Sequence, residues 1–276
     1  MVADITKANL AVTGLTASGK VYNANTTATL GGTAVIAVLG TDFVTLGGTA
    51  SGLFADKNAG TSKTVTVSGY TLGGTDAGNY TLLQQTGLVA DITKAALTIT
   101  ATGVNKVYDA LSGATETLAD NRVAGDVLIL GLGSASYLDK NVANGKTVNV
   151  SGITLTGTDA GNYTFNTTAA TTASITTKIM TLGGITAGNK VYDGTTAATV
   201  NTGAASYTGL VTGDAVTVSA TGTFADKNAA ASKAIALMNS YAGVDASNYN
   251  IINQGSTTAD IAPATLMLTA NPASGN

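Results

Sequence analysis

A chain of 276 residues with 44% hydrophobic residues has room for two or three packed domains and is too apolar to stay disordered. It has no Cys, His or Trp, which removes thiol nucleophiles, the Ser-His-Asp triad and most zinc sites. Thirteen cations and a net charge of −3 leave no basic stripe for nucleic acid, and no apolar run is long enough for a membrane-spanning helix. With 34 Gly and much Thr and Val, the composition favours short strands broken by turns.

The chain opens on Val2-Ala3-Asp4-Ile5-Thr6-Lys7-Ala8. This block returns as Val89-Ala90-Asp91-Ile92-Thr93-Lys94-Ala95, more loosely as Ala173-Ser174-Ile175-Thr176-Thr177-Lys178, and again as Ala259-Asp260-Ile261-Ala262-Pro263-Ala264. Recurrence at domain-sized intervals is a tandem array. Residues 1–5 read as the end of a preceding repeat, 6–92 as repeat 1, 93–175 as repeat 2, 176–261 as repeat 3, and 262–276 as the start of a truncated fourth. The expectation is a segment cut from a longer array, with Met1 an added start. At the junction, β-branched Ile92 and Thr93 favour extended backbone, and no Gly, Pro or polar linker intervenes. Little hinge freedom is expected, so three end-to-end modules with strands of about ten residues should reach roughly 100 to 130 Å.

Each repeat begins with alternation, as in Leu10-Ala11-Val12-Thr13-Gly14 and Leu97-Thr98-Ile99-Thr100-Ala101, the mark of a half-buried strand. A turn block follows: Lys20-Val21-Tyr22-Asn23, Lys106-Val107-Tyr108-Asp109 and Lys190-Val191-Tyr192-Asp193-Gly194. The middle is irregular, with the steps Gly40-Thr41-Asp42, Gly125-Asp126 and Gly213-Asp214. Next come Phe54-Ala55-Asp56-Lys57-Asn58, Tyr137-Leu138-Asp139-Lys140-Asn141 and Phe224-Ala225-Asp226-Lys227-Asn228, each leading into a strand such as Lys63-Thr64-Val65-Thr66-Val67. The last block is Asp76-Ala77-Gly78-Asn79-Tyr80, repeated as Asp159-Ala160-Gly161-Asn162-Tyr163 and Asp245-Ala246-Ser247-Asn248-Tyr249. All twelve lysines fall at four equivalent places in three repeats, which tests the alignment independently.

About seven strand candidates per unit and no convincing helix predict an all-β protein, a tandem array of three Ig-like β-sandwich modules joined end to end. The alternative is a β-grasp-like module, with one short helix in the irregular middle. Asp-x-Gly-x-Tyr before a late strand reads as a tyrosine corner: Tyr80, Tyr163 and Tyr249 bury their rings and bond back to upstream backbone. On this reading Asp76, Asp159 and Asp245 cap their own turns, and Gly78 and Gly161 adopt left-handed backbone. Tyr22, Tyr108 and Tyr192 are read as core or turn anchors rather than as a sugar-stacking platform.

These blocks, above all Lys190-Val191-Tyr192-Asp193-Gly194-Thr195-Thr196, Phe224-Ala225-Asp226-Lys227-Asn228 and the three Asp-Ala-x-Asn-Tyr turns, resemble the YDG-type repeats, related to MBG repeats, of large bacterial surface adhesins. Such repeats occur in filamentous-haemagglutinin-like exoproteins. The resemblance covers nearly the whole chain and departs at Asn23-Ala24 and Asp109-Ala110, where the family carries Asp-Gly. It implies an extracellular stalk or adhesive array on the bacterial cell surface, with no catalytic residues.

Other site readings are weaker on the residues. Asp56, Asn58 and Asp76 supply oxygen ligands of the type calcium prefers, but each block has only one or two acids, so turn capping is the simpler role and no cofactor is expected. A Lys–Asn isopeptide cross-link competes with solvated edge lysines that discourage sheet pairing. Asn25, Asn79, Asn149, Asn162 and Asn166 lie in Asn-x-Ser/Thr, a pattern chance supplies in so Thr-rich a chain. The leading expectation is a structural spacer that projects an adhesive tip for adhesion or biofilm formation, its partners being neighbouring repeats of the same chain. The alternative is a module in each repeat that binds a host or matrix glycan or protein, carried by repeat-specific residues such as Arg122, Tyr207 or Tyr241. No membrane insertion, nucleic acid or enzymatic activity is expected.

Overall fold

Alternation along the first strand sets the sheet of repeat 1. Strand β1 (Ala8–Ser18) buries Leu10 and Val12, then skips to Leu15, because a bulge at Gly14 shifts its register by one. Two of the bulges in repeat 1 are built on glycine pairs. Gly14 and Gly32 face each other, and a Cβ on Gly32 would lie 2.2 Å from the Gly14 carbonyl oxygen. Gly48 and Gly69 make a second pair, both at positive φ, in the register shift between β4 (Thr45–Phe54) and β5 (Gly60–Gly73). A bulge bends and twists its strand, so paired bulges curl the sheet.

This computed structural model describes residues 3–269. The chain is all-β, and among the described residues the only helical segments are three single 3₁₀ turns. With β2 (Lys20–Val21), β3 (Thr27–Ile36), β6 (Tyr80–Leu83) and β7 (Leu88–Thr93), repeat 1 forms one sheet of order β2-β7-β5-β4-β3-β1-β6. Only Gly19 separates β1 from β2, so the pairing of β2 with β7 brings the far edge of the sheet back to the continuation of its own first strand. The result is a curled, nearly closed barrel-like sheet. Its interior is Val12, Leu15 and Val67, with Leu30, Ile36, Leu46, Leu82 and Leu88 packed around them. Burying one such side chain contributes about 1.5–3 kcal/mol. The irregular middle, the only place for a β-grasp helix, carries β3 and β4.

Repeat 3 uses the same plan. A five-stranded sheet runs Lys190–Val191, Ser256–Ala262, Ala230–Ala242, Thr217–Phe224 and Ala197–Ala198, closing on Phe224, Ile235, Ala259 and Ile261. The chain divides into two compact units: one takes the residues up to Ala101 with Leu118–Ser134 and Val150–Ala170, the other Thr102–Thr117, Ala135–Asn149 and the residues from Thr171 onward. Repeat 2 therefore supplies strands to both. Met1, and the fourth-repeat start from residue 270, lie outside the described residues; 263–269 has no strand.

Two parallel pairings recur and fix the junctions. The first strand of each repeat pairs with the strand after its Asp-Ala-x-Asn-Tyr turn: β1 with β6, Ala95–Leu97 with Tyr163–Phe165, and Lys178–Gly183 with Tyr249–Ile252. The Lys-Val dipeptide pairs with the repeat's last strand: Lys20↔Ile92, Lys106↔Ile175 and Lys190↔Ile261. At the first junction Thr93 is thus paired within repeat 1 and Ala95 within repeat 2, with Lys94 alone between them. At the second, only Thr177 separates the paired Thr176 and Lys178.

Candidate functional site at the repeat junctions

The recurring lysines first build each repeat internally. Lys20, Lys106 and Lys190 stand over the Phe54, Tyr137 and Phe224 rings at 5.4, 5.6 and 5.5 Å. Each donates into the loop that follows its own strand. Lys190 Nζ reaches Asp193 Oδ1 at 2.9 Å and the Thr195 and Ala197 carbonyls at 2.8 and 3.1 Å. Lys190 and Thr195 together hold the Asp193 carboxyl down at about 2. The residue after the Asn or Asp is left-handed in all three repeats: Ala24 at φ 61°, Ala110 at φ 64° and Gly194 at φ 79°. The two alanines are strained where the third repeat has glycine. Lys63, Lys146 and Lys233 pair with Asp56, Asp139 and Asp226 and tie down the next loop.

The remaining lysine of that loop reaches into the next repeat. Lys57 Nζ lies 2.7 Å from Asp159 Oδ1 and 3.4 Å from Asp126 Oδ1, and 6.0 Å from the centre of the Tyr22 ring. Tyr22 donates to Asp126 Oδ1 at 2.9 Å, and Tyr163 donates to Asp126 Oδ2 at 2.5 Å. The two tyrosine rings meet edge to face at 5.5 Å. Beside them the Asn162 side chain accepts from the Ala59 N–H at 2.9 Å and donates to Asn58 Oδ1 at 3.2 Å. All these residues belong to the first compact unit.

The second junction repeats the arrangement wholly within the second unit. Lys140 Nζ sits 2.8 Å from both Asp214 Oδ1 and Asp245 Oδ1, and 5.8 Å from the Tyr108 ring centre. Tyr249 donates to Asp214 Oδ2 at 2.5 Å, and Asn248 accepts from the Val142 N–H at 2.9 Å. Tyr108 and Tyr249 again meet edge to face at 5.5 Å. Among the described residues the buried Tyr108 hydroxyl makes no hydrogen bond, and Lys140 joins that side to Asp214.

Charge matters as much as shape in this clamp. Hydrogen bonds to Asp159 and to Tyr22 hold Lys57 well above its ordinary value, and Asp214 and Asp245 do the same for Lys140. Lys57 in turn depresses Asp159, and Lys140 depresses Asp245. Burial and the Asp126 carboxylate push Tyr163 up to about 12. Groups charged and oriented in this way fix geometry more than they add net stability, because desolvation offsets much of the attraction.

The anticipated tyrosine corner is present in a longer-range form. The Tyr80, Tyr163 and Tyr249 hydroxyls accept from the Leu39, Val123 and Val211 N–H groups, each at 3.0 Å and about 40 residues upstream. Two details need correction. Asp76, Asp159 and Asp245 make no side-chain cap on their own 3₁₀ turns; their Oδ2 atoms accept from Phe43, Val127 and Ala215, at 2.7, 3.0 and 2.9 Å. Those N–H groups directly follow the Asp of the Gly-Asp step, and the Asp76, Asp159 and Asp245 N–H groups donate back to the Phe43, Val127 and Ala215 carbonyls at 3.2, 3.4 and 3.4 Å. Nor are Gly78 and Gly161 left-handed: they are mid-turn 3₁₀ residues with open space where a Cβ would be, which is why Ser247 fits in repeat 3.

Tyr22 and Tyr108 are buried at the junctions, whereas Tyr192 is 37% exposed. The calcium candidates do not converge: Asp56 Oδ1 is taken by Lys63 and the Asn58 N–H, and Asp76 by the Phe43 N–H. Lys20 Nζ does touch Asn25 Oδ1 at 2.7 Å, but within one loop, and the residues at the equivalent position are Leu111 and Thr195, which offer no side-chain amide for a cross-link. Arg122 is engaged by Asp120 and the Leu128 carbonyl, Tyr207 accepts from the Val218 N–H, and Tyr241 donates to Asn253. Sequence reasoning missed Asp42, Asp126 and Asp214. Their signal was present: they precede the corner tyrosine by 38, 37 and 35 residues.

The YDG domain matches the chain three times, over residues 6–87, 93–172 and 176–259. No curated protein and no solved structure matches it.

Proposed function

The chain belongs to the YDG domain family, three copies in tandem, and from that premise we propose that it serves as structural spacer repeats of a bacterial cell-surface adhesin. It projects an adhesive tip from the cell for adhesion or biofilm formation. The observation that carries this reading is the clamp, built twice from the same four residue types, which ties each repeat to the next through Lys57 and Lys140. A spacer has to resist folding back, and a one-residue connector flanked by paired strands, braced by a shared lysine, is a means of doing so. Recurring ion pairs such as Lys63–Asp56, Lys146–Asp139 and Lys233–Asp226 brace loops, and Lys57 and Lys140 brace junctions, an arrangement that suits a spacer better than an enzyme. The location outside the cell follows the same reading.

The test is functional. The three repeats are displayed on cells between an anchor and a tip of known ligand, and capture of ligand-coated beads is counted. The wild-type repeats should support capture, and cutting both clamps with Lys57→Ala and Lys140→Ala should reduce it while tip display stays constant. Equal capture by both would contradict the spacer reading. Reproducible binding of the repeats alone to a glycan array would favour a recognition role in its place.

A further inference from the structure

Tension along a tandem array enters each repeat at its first strand and leaves at its last. In repeat 1 the first segment, β1 and β2, lies beside the last, β6 and β7, and runs in the same direction. Ala8–Ala11 pairs with Tyr80–Leu83, and Lys20–Val21 with Ile92–Thr93, at the same offset in sequence. Repeat 3 does likewise: Lys178–Thr181 pairs with Tyr249–Ile252, and Lys190–Val191 with Ile261–Ala262.

Between the two pairings, where the bulge at Gly14 interrupts the first strand, a side-chain amide fills in. The Gln85 amide donates to the Leu15 carbonyl at 2.9 Å and accepts from the Leu15 N–H at 2.8 Å, as a paired backbone would. Gln254 does the same to Ile185 at 2.7 and 2.8 Å, and Asn166 to Ile99 at 2.9 and 2.8 Å. At the exit, the Tyr22, Tyr108 and Tyr192 N–H groups donate to the Thr93, Thr176 and Ala262 carbonyls at 2.8, 2.9 and 2.8 Å. Neither segment of repeat 1 can be peeled off as a free edge, since β1 also pairs with β3, and β7 with β5.

Because Val21 stands beside Thr93, entry at Ala8 and exit at Thr93 fall at opposite ends of this pairing, up to roughly 40 Å apart at the rise of a strand. The pull is along the strands, and the hydrogen bonds reach across them. We infer that the parallel pairing is a load-bearing shear clamp. Tension has to slide the first segment past the last, breaking both pairings and the amide bridge together, before a repeat can open. The clamp lies within single repeats, so it holds whether or not the array carries an adhesive tip.

Single-molecule pulling on the intact chain tests it, in two directions through repeat 3. Forced unfolding reads the barrier rather than the equilibrium. The chain has no native cysteine, so the attachment points are set by substitution at exposed positions. Thr177→Cys with Ala264→Cys loads the clamp. Thr217→Cys with Ala242→Cys grips a pair at the open end of the hairpin of Thr217–Phe224 and Ala230–Ala242, and unzips its bonds one after another. At one loading rate the clamp direction should need several-fold the force of the hairpin direction. Its opening should lengthen the chain by roughly 250 Å, the extended span of Lys178–Ala262 less its folded length. Gln254→Met keeps the length of the side chain and loses both bonds to Ile185. It should lower the force in the clamp direction and leave the hairpin direction unchanged. Equal forces in the two directions of the otherwise unaltered chain would overturn the inference. So would a Gln254→Met substitution that lowers both forces equally, or neither.

Discussion

Replacing Asp126 and Asp42 by alanine in separate chains measures what a junction adds to an otherwise identical corner. Both carboxylates accept the corner tyrosine: Tyr163 at 2.5 Å on Asp126 and Tyr80 at 2.7 Å on Asp42. Only Asp126 also accepts Tyr22, at 2.9 Å, from the preceding repeat. A hydrogen bond to a charged group contributes about 1.5–3 kcal/mol net. Asp42→Ala should therefore cost about 1.5–3 kcal/mol, and Asp126→Ala up to twice that. Lys57 adds little to the difference, because it keeps Asp159 at 2.7 Å. A tandem array is not a two-state system, so one melting curve would blur the effect. Hydrogen exchange read amide by amide resolves it. The paired amides around Lys20–Val21 and Ile92–Thr93 should exchange about 10- to 150-fold faster in Asp126→Ala than in Asp42→Ala, the ratio that 1.5–3 kcal/mol implies at 1.4 kcal/mol per tenfold. Equal acceleration in the two variants would refute the reasoning, because Asp126 would then be an ordinary corner acid.

The other expectations are simpler. Tyr163→Phe removes one neutral and one charge-assisted hydrogen bond and should cost about 2–4 kcal/mol in repeat 2, read by denaturant unfolding. Ala24→Gly and Ala110→Gly relieve a left-handed alanine and should each gain about 0.5–1 kcal/mol once the flexibility of glycine is deducted, seen as a raised melting temperature. Gly48→Ala should be severely destabilising, since its Cβ would lie 2.2 Å from the Gly69 carbonyl oxygen, whereas Gly161→Ala should be neutral or slightly stabilising in the same assay. Asp193 sits at about 2 in the folded repeat, against about 3.9 unfolded. A depressed carboxyl contributes stability that is complete above its unfolded value and lost as pH falls through the folded one. The melting temperature of repeat 3 should therefore fall between about pH 4 and about pH 2, and Asp193→Asn should flatten that segment of the curve.

Much of the fold was legible because period-two alternation and the repeated blocks act locally. Leu10 and Val12, or Val65 and Val67, declare their buried face by spacing alone. The curling of the sheet was not legible, because it comes from glycines such as Gly14 and Gly32, which meet only once β1 and β3 have paired. The corner tyrosines could be placed near a turn, but not their upstream partners, since a hydroxyl bond spanning some 40 residues leaves no local trace. The clamp was harder still. Lys57 and Lys140 look like the other loop lysines in sequence, and what sets them apart is a carboxylate pair about 70 to 105 residues further on. The lone Gly-Asp steps were its one visible sign, recurring in a stretch otherwise too variable to align. Gly78 misled for the opposite reason: a glycine in a turn suggests left-handed backbone, and a 3₁₀ turn does not need it.

The central claim is that the junction between repeats 1 and 2 is held in one arrangement. The chain has no native cysteine, so two spin labels can be placed without background. Thr64→Cys and Thr154→Cys put them on exposed strand positions of repeats 1 and 2, both in the first compact unit. Pulsed electron resonance should give a single narrow distance distribution, which broadens when Lys57→Ala and Asn162→Ala are added. A broad distribution in the otherwise unaltered chain, or a narrow one indifferent to loss of the clamp, would contradict the account.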